Sequence, residues 1–248
     1  MAELSRISVT PVKGTALHHP SEVVLGSNGF EHNRRFHLID DRGLLINGKQ
    51  CGGLVALRCS YDGETLAIEF PDRAAVSERV VLTSKRVETN FYSRRLVPGT
   101  VVGGGFAEAV SEYAGRPLRL VEVGETGLGV DVHPVTLIST ATLNHLQSTV
   151  DAPAAYWADR FRMLLELDGL EPYEEETWAG LEITVGDAVL TVDNRVPRCV
   201  VTKQNPRSGA RDFNTLDALQ TNRGGLLLGM YATVTRPGIV RRGDAISA

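Results

Sequence analysis

The chain has 248 residues, of which 42% are hydrophobic and 23% are charged, a composition typical of an ordinary soluble globular protein. This length allows one large domain or two small ones, with enough residues to bury a core. The formal charge of −4 at pH 7 argues against a nucleic-acid-binding protein, although a local basic pocket is compatible with it.

The sequence also predicts the cellular compartment of the protein. No apolar run approaches the roughly 18 residues that a membrane-spanning helix needs, and the first residues lack the basic-then-apolar pattern of a signal peptide. The three cysteines leave one unpaired and show no C-x-x-C spacing, which fits a reducing compartment. We therefore expect a cytoplasmic protein with neither a membrane nor a nucleic acid as its partner.

The first 97 residues have the pattern of short β-strands. Apolar and polar residues alternate over 5–12, and similar runs recur about every ten residues. Lys13 and Gly14 follow the first run, and a glycine there lets backbone N–H groups approach an anion. Arg35 precedes another alternating run. The spacing of these runs predicts a small β-barrel or sandwich.

After Pro98-Gly99 the pattern changes to strands mixed with a few helices. Residues 106–114 predict a helix that ends at Gly115, and the segments 152–158 and 212–220 predict two more. Strand-like runs lie at 118–123, 135–138, 181–185, 188–192 and 226–234. We therefore expect a β-rich α+β fold with a domain boundary between residues 97 and 98.

Three polar residues of this second half are candidates for an anion site. Ser139 is a good N-cap for a helix that follows the strand at 135–138, and Thr142 lies in its first turn. A helix N-terminus beside a loop can bind an anion, although capping alone also explains both residues. Arg162 stands ahead of a strand, where it is either an anion ligand or an ordinary surface charge.

Cys199 lies between Arg198 and a run of β-branched residues. Pro197 has no N–H for ladder pairing, so we expect the cysteine where a loop enters a strand. Arg198 would favour the thiolate, which is both a nucleophile and a ligand for soft metals. The alternative is a buried core residue beside a surface arginine, since free cysteine is among the most buried residue types. Cys51 and Cys59 lie in the strand-rich half and have no comparable setting.

The motif Pro197-Arg198-Cys199, with Thr202 and Asn205-Pro206-x-Ser208-Gly209 after it, resembles the signature of the MOSC family, named for the C-terminal part of molybdenum cofactor sulfurase. Further segments resemble the family in the same order: Pro11-Val12-Lys13, Arg35, Pro134 to Leu143, Arg160-Phe161-Arg162 and Gly243-Asp244. The resemblance implies a MOSC N-terminal β-barrel domain at 1–97 packed against a mostly β MOSC barrel at 98–248.

The resemblance also implies a cofactor. Members of the family bind the molybdenum cofactor (molybdopterin), a phosphorylated pterin whose dithiolene holds the metal and accepts one protein thiolate. By this interpretation Cys199 is the metal ligand and the catalytic residue. Arginine suits phosphate because its planar fork binds two oxygens. The implied cofactor-binding residues are Lys13, Gly14, Arg35, Ser139, Thr142, Arg162 and Arg198.

The activity that the resemblance implies is a molybdenum-dependent oxidoreductase that reduces small N-hydroxylated compounds, as the reducing members of the family do. The chain has no iron–sulfur cysteine spacing and no flavin or nicotinamide fingerprint. Its electrons would therefore come from a separate reductase, a flavin or iron–sulfur protein.

Three positions depart from the family and leave two alternatives. Gly14 replaces a serine, Arg34 replaces an aspartate, and Met163-Leu164 replaces a Pro-Asn pair whose asparagine contacts the cofactor. One alternative is a sulfur carrier in molybdenum cofactor sulfuration, with Cys199 as a persulfide. The pyridoxal-phosphate domain of the sulfurases is absent, so the sulfur would have to be delivered. The other alternative is a non-catalytic anion-binding module.

Overall fold

The computed structural model describes residues 1–92, 95–153 and 155–248. These ranges contain 18 β-strands, three α-helices and four short 3-10 helices. The strands are β1 (Glu3–Ile7), β2 (Glu22–Gly26), β3 (Gly29–Phe30), β4 (Phe36–Ile39), β5 (Leu45–Ile46), β6 (Arg58–Tyr61), β7 (Thr65–Glu69), β8 (Val76–Arg79), β9 (Leu82–Phe91), β10 (Arg95–Val102), β11 (Arg119–Val123), β12 (Val135–Ser139), β13 (Leu165–Asp168), β14 (Glu182–Val185), β15 (Ala188–Pro197), β16 (Leu227–Arg236), β17 (Gly238–Arg241) and β18 (Ile246–Ser247). The α-helices are α1 (Phe106–Ala114), α2 (Thr140–Ser148) and α3 (Thr215–Arg223), and the 3-10 helices span Gly52–Ala56, Ala158–Phe161, Glu174–Trp178 and Val200–Lys203.

The larger sheet has seven strands in the order β1-β13-β12-β16-β15-β14-β18. A bridge between Glu3 and Ala245 brings its first strand to its last, so the sheet is a nearly closed barrel. Along β15 the residues Ala188, Leu190 and Val192 are buried and alternate with less buried ones, as a strand with one face on a core requires. They pack into the largest hydrophobic cluster, which fills the barrel.

The other half is built on a five-stranded sheet, β5-β4-β11-β10-β9, and a three-stranded sheet, β6-β7-β8. Phe36 and Leu38 of β4, Leu66 and Ile68 of β7, and Phe106 of α1 share one buried core. The two sheets and α1 therefore enclose a second hydrophobic interior. With the seven-stranded barrel beside it, the β-rich α+β fold is confirmed.

Each half of the chain contributes a strand to the sheet that is mainly built by the other half. β1, from the start of the chain, is an edge strand of the seven-stranded sheet, while β11 lies in the middle of the five-stranded sheet. The predicted boundary between residues 97 and 98 falls inside β10, and the division itself stays a prediction. This exchange is what brings the loops after β1 and β11 to the junction of the halves.

Several local predictions are confirmed and others are wrong. Helix α1 begins and ends where the sequence predicts, and Ser139 is the N-cap of α2 as predicted. The helix predicted at 212–220 begins later, at Thr215, because the side chain of Asn214 caps it. The helix predicted at 152–158 is wrong over the described residues, which form turns ahead of the 3-10 helix Ala158–Phe161; residue 154 lies outside them.

The placement of Cys199 at a strand entrance is also wrong. Strand β15 ends at Pro197, and Cys199 instead begins the 3-10 helix Val200–Lys203. The carbonyl oxygen of Cys199 accepts hydrogen bonds from the backbone N–H of Thr202 at 3.1 Å and from its hydroxyl at 2.9 Å. These two bonds turn the β-branched run away from the sheet.

None of the helices in the described ranges is both long and apolar enough to cross a bilayer.

Candidate functional site

A cavity of about 400 Å³ lies where the two halves of the molecule meet. This volume is in the range of small-molecule sites in proteins. Loops of the first half contribute one wall, and the end of β15, the middle of β16 and the segment before β13 contribute the other. The side chains that carry charge, polarity or sulfur on its surface are Lys13, Arg34, Asn47, Lys49, Tyr92, Asp131, His133, Thr136, Arg160, Arg162, Met163, Arg198, Cys199, Thr202 and Tyr231.

Cys199 lies on the cavity wall with an exposed thiol. Its backbone is held on both sides, because the N–H of Arg198 donates to the carbonyl of Leu226 at 2.7 Å and Thr202 closes the turn after it. Thr202 in turn lies 2.5 Å, hydroxyl to hydroxyl, from the buried Thr215 of α3. The fixed backbone places the thiol at a defined point of the cavity wall, as a nucleophile or metal ligand requires.

Arg198 is anchored beneath the thiol by the segment before β13. Its guanidinium donates to the carbonyl of Phe161 and, at 3.2 Å, to the sulfur of Met163. Its Nε is buried and has no hydrogen-bond partner among the described residues. Burial lowers the pKa of Arg198 to about 10, so the group is still cationic at neutral pH. It therefore contributes a positive charge with one donor unused.

Arg162 is directed to the cavity by an unusual backbone. It has a φ of 54°, in the left-handed region, where the 3-10 helix Ala158–Phe161 ends. Its Nη2 donates to the carbonyl of Thr15 at 2.7 Å, which links the second half to the loop after β1. Burial, with the charge of Arg34 adding to it, lowers the pKa of Arg162 to about 10. A strained non-glycine backbone is typical of functional sites.

Lys13 and Arg34 share one carboxylate. Lys13 is only 4% exposed, and its ammonium lies 2.5 Å from Oδ1 of Asp131 and 2.9 Å from the carbonyl of Gly129. Nη1 of Arg34 lies 3.7 Å from Oδ2 of the same aspartate. Burial lowers the pKa of Lys13 to about 8, and Asp131 partly offsets this shift. Burial alone would raise the pKa of Asp131, but Lys13 and Arg34 hold it well below its usual range.

Gly14 and Tyr92 complete the wall on the side of the first half. Gly14 has a φ of +90°, and a Cβ there would lie 2.8 Å from the Cβ of Asn47. The amide of Asn47 donates to the hydroxyl of Tyr92 at 2.9 Å, and the ammonium of Lys49 lies 4.2 Å from the centre of the Tyr92 ring. Burial raises the pKa of Tyr92, so the hydroxyl stays protonated. This wall offers an aromatic face beside the cations.

Three residues predicted for the site lie outside the cavity. Arg35 forms an ion pair at 2.6 Å with Glu122 of β11, which lies beside β4 in the five-stranded sheet. Ser139 and Thr142 are fully buried and bond to each other at 2.7 Å, hydroxyl to hydroxyl. Thr142 also donates to Glu175 at 2.9 Å. These contacts use the hydroxyls in capping and in a buried polar network, the alternative that the sequence left open.

Met163 and Leu164, which replace the Pro-Asn pair of the family, have two different positions relative to the cavity. Leu164 is buried in the barrel core, so it presents no side chain to the cavity. Met163 does line the cavity and provides the sulfur that accepts from Arg198.

Asp131, Tyr92 and Asn47 are residues that the sequence did not identify. They belong to loops with neither periodicity nor a motif, and only the fold brings them beside Lys13. The sequence did mark Arg34 as a departure from the family, and Arg34 lines the cavity while its neighbour Arg35 does not.

The charges of the cavity differ from those of the whole chain. Among the described residues, six lysines and arginines line it against the single carboxylate of Asp131, although the chain carries −4 overall. A basic hollow of this kind favours an anionic ligand, and the exposed thiol adds one soft ligand for a metal. These residues fit a group that carries both a phosphate and a thiophilic metal, because each finds its preferred partner there. Fold and site together define a two-barrel protein with a cationic, thiol-bearing ligand cavity.

Comparison with known families gives a consistent result. The MOSC N-terminal beta barrel domain matches residues 1–116, and the MOSC domain matches residues 125–247. The chain therefore belongs to the MOSC family, as the resemblance of its motifs predicts.

The curated relatives are distant. Molybdenum cofactor sulfurase of Drosophila melanogaster is 25% identical over 247 residues, which cover 93% of this chain and 31% of the sulfurase. The chain thus spans about a third of the length of that relative. Mitochondrial amidoxime-reducing component 1 of Homo sapiens is 23% identical over 283 residues, covering 99% of this chain and 82% of the relative.

Among solved structures, the YUAD protein of Bacillus subtilis aligns with a TM-score of 0.48 and 10% identity, over 99% of this chain and 93% of that one. YiiM of Escherichia coli aligns with a TM-score of 0.36 and 19% identity, over 46% of this chain and 53% of that one.

Proposed function

We propose that this protein binds the molybdenum cofactor in the cavity and reduces N-hydroxylated compounds, with Cys199 as the metal ligand. The observation that supports it most is the convergence of the exposed Cys199 thiol with the cations Lys13, Arg162 and Arg198 on one cavity. Membership of the MOSC family supports the coarser statement, a role related to the molybdenum cofactor. The finer statement follows the likeness to an amidoxime-reducing protein, since amidoximes are N-hydroxylated amidines.

The phosphate of the cofactor would be held by Lys13, Arg34 and Arg162. Each hydrogen bond to a charged group contributes about 1.5–3 kcal/mol, so three such contacts favour a phosphate strongly over a neutral ligand. Gly14 lines the same wall and, lacking a side chain, leaves its backbone open to the ligand. Arg198 adds its positive charge to the same cavity beside Cys199.

Cys199 would supply the protein's thiolate to the metal. When bound, the cofactor would supply two-electron redox chemistry at molybdenum. The residues of the chain hold and orient it, and the turn that Thr202 closes fixes the position from which the sulfur reaches into the cavity.

Reduction of an N-hydroxyl group to an amine consumes two electrons and two protons and releases one water. The electrons would come from a separate reductase, a flavin or iron–sulfur protein. His133 lines the cavity, and its Nε2 lies 3.0 Å from Oδ2 of Asp193, so a carboxylate orients its imidazole at the cavity wall.

The test is to express the protein in a host that makes the cofactor and to measure molybdenum and pterin per chain. We expect about one of each in the wild-type protein, with molybdenum lost in Cys199→Ser and kept in Cys51→Ser, the control for a half-buried cysteine away from the cavity. The wild-type protein should also reduce an N-hydroxylated amidine with a chemical electron donor. Equal molybdenum in the wild-type and Cys199→Ser proteins would refute the role of Cys199.

A second candidate function is a sulfur carrier, because the thiol of Cys199 is exposed and one group of relatives is named for sulfurase activity. Intact-mass measurement separates the two functions. An added sulfur atom on Cys199 without molybdenum favours the carrier, whereas molybdenum without added sulfur favours the reductase. A protein with neither pterin, metal nor added sulfur is the non-catalytic anion-binding module.

A further inference from the structure

Asp131 lies among the cations that would receive a phosphate. One carboxylate oxygen lies 2.5 Å from the ammonium of Lys13, and the other lies 3.7 Å from the guanidinium of Arg34. The carboxylate therefore contacts both cations at once, as a phosphate with two oxygens would. Its side chain is 46% exposed, whereas that of Lys13 is 5% exposed, so the carboxylate approaches a buried cation from the open side of the cavity.

We propose that Asp131 is an internal counter-anion of this cavity: its carboxylate takes the place of a phosphate on Lys13 and Arg34, and a phosphate-bearing ligand binds by displacing it. The inference rests on the proposed function only in the identity of the natural ligand, since any phosphate would compete with the carboxylate in the same way. It makes Asp131 a residue that sets how strongly the cavity binds anions.

The first argument is the burial of Lys13. A buried ammonium without a partner is strongly destabilising, and its pKa is lowered to about 8 even with Asp131 beside it. The ligand-free protein therefore needs an anion at this point, and Asp131 provides one. When a phosphate arrives, it brings its own negative charge, and the carboxylate is no longer required there.

The second argument is the fixed backbone of the segment between β11 and β12. The guanidinium of Arg95 donates to the carbonyls of Leu128 and Val130. Gly129 packs so closely that a Cβ there would overlap the carbonyl oxygen of Arg34. Because the backbone is fixed as far as Val130, replacement of the carboxylate by a phosphate needs only rotation of the Asp131 side chain towards the open cavity.

The third argument is the balance of charge. Within the described ranges the cavity has one carboxylate against several cations, so the counter-charge that these residues provide is concentrated in Asp131. A neutral ligand gains little by displacing the carboxylate, because it cannot pair with Lys13. The cavity thus discriminates against uncharged pterins and other neutral ring compounds, and admits phosphorylated ones.

The test uses cofactor-free protein and inorganic phosphate as the probe, with affinity measured by calorimetry. We expect Asp131→Asn to bind phosphate at least about tenfold more tightly than the wild type, because the competing carboxylate is gone. The same variant should unfold at a lower urea concentration, because the ammonium of Lys13 has lost its negatively charged partner. Asp187→Asn is the matched control: it removes the same charge from an exposed pair with Arg241 and should change neither quantity.

Unchanged or weaker phosphate binding in Asp131→Asn overturns the proposal, since a purely structural ion pair predicts the loss of stability alone. If that variant does not fold, the wild-type protein labelled with 13C at aspartate carboxyls gives the answer. Saturating phosphate should move the Asp131 carboxyl resonance; a resonance that stays in place while phosphate binds elsewhere overturns the proposal.

The outcome is separable from that of the proposed function. Tighter phosphate binding by Asp131→Asn in a protein that never contains molybdenum supports the counter-anion and refutes the reductase. Stoichiometric molybdenum in the wild type with unchanged phosphate affinity in Asp131→Asn supports the cofactor-binding function and overturns the counter-anion.

Discussion

The guanidinium of Arg160, which is fully buried, lies 2.7 Å from the carboxylate of Asp212. It also donates to the carbonyls of Gln204 at 3.2 Å and Lys203 at 3.4 Å. One arginine thus holds the chain that follows Cys199 on two sides. The thiol is exposed, but the segment that carries it is anchored to a buried charge.

Replacing this arginine should therefore destabilise the protein. Arg160→Met keeps much of the apolar stem but removes the donor to two carbonyls and the ion pair of Asp212, and we expect a loss of about 3 kcal/mol in the free energy of unfolding. Urea unfolding measures it. The control is Arg241→Met, which removes a surface pair with Glu22 and should cost less than about 1 kcal/mol. Equal losses in the two variants would show that Arg160 does not anchor the segment.

Gly14 and Gly43 allow backbone strain to be separated from packing. Both have positive φ values, +90° and +80°, but a Cβ at Gly14 would lie 2.8 Å from the Cβ of Asn47, whereas nothing lies within 4 Å of one at Gly43. Gly43→Ala should cost about 1 kcal/mol through its backbone alone, and Gly14→Ala should cost about 1–3 kcal/mol more, because a neighbour must move.

Gly14→Ala should also affect the cavity, because Asn47 holds the hydroxyl of Tyr92. We expect weaker phosphate binding in Gly14→Ala and unchanged binding in Gly43→Ala, measured by calorimetry. Equal stability of the two variants would mean that the contact with Asn47 relaxes without cost.

Alternation and caps were sufficient to predict several of the elements but not all of them. Ser139 begins α2 and Gly115 ends α1, because each fixes a local hydrogen bond that does not depend on the rest of the fold. The 3-10 helix after Cys199 was not predictable, since Val200 and Val201 have strand propensity, whereas the contacts of Thr202 with Thr215 and of Arg160 with Lys203 hold the turn from distant parts of the chain. Here tertiary packing decided the local structure.

The same distinction applies to the site. Lys13, Arg162, Arg198 and Cys199 follow motifs, and they line one cavity. Asp131 had no motif to identify it, because its partners are distant in the sequence and meet it only through the junction of the halves.

The buried ammonium of Lys13 predicts a pH dependence of stability. Its pKa is lowered by burial from 10.5 to about 8, so between these values the unfolded chain binds more protons than the folded one. Stability therefore rises with pH through this window, because the buried charge is neutralised. Compared with Lys13→Met, the wild-type protein should gain about 2 kcal/mol between pH 7.5 and pH 9.5 in urea unfolding.

Comparison with Lys13→Met removes the contribution of other groups that titrate at alkaline pH. In Asp131→Asn the pKa of Lys13 should fall further, so the gain should begin at a lower pH. A stability difference between wild type and Lys13→Met that stays constant from pH 7.5 to 9.5 would show that the ammonium is not buried in solution.

The buried side chain of His37 predicts that the free energy of unfolding falls at acid pH. The side chain is fully buried in the sheet behind Lys13, with its Nε2 2.8 Å from the hydroxyl of Thr89 and its ring against Phe91. Burial, with the charge of Lys13 adding to it, lowers the pKa of His37 from 6.5 to about 3. The unfolded chain therefore takes up a proton that the folded one excludes, and stability falls as the pH drops below 6.5.

His37→Gln lacks this titration, so the wild-type protein should lose about 2 kcal/mol relative to it between pH 7 and pH 5. Urea unfolding at intermediate pH values measures the difference. Thr89→Val is the control, because it removes the hydrogen bond but leaves the imidazole buried, and its cost should be nearly the same at both pH values. If Thr89→Val and His37→Gln show the same pH dependence, the acid sensitivity comes from the lost hydrogen bond or from another group, and not from the buried imidazole.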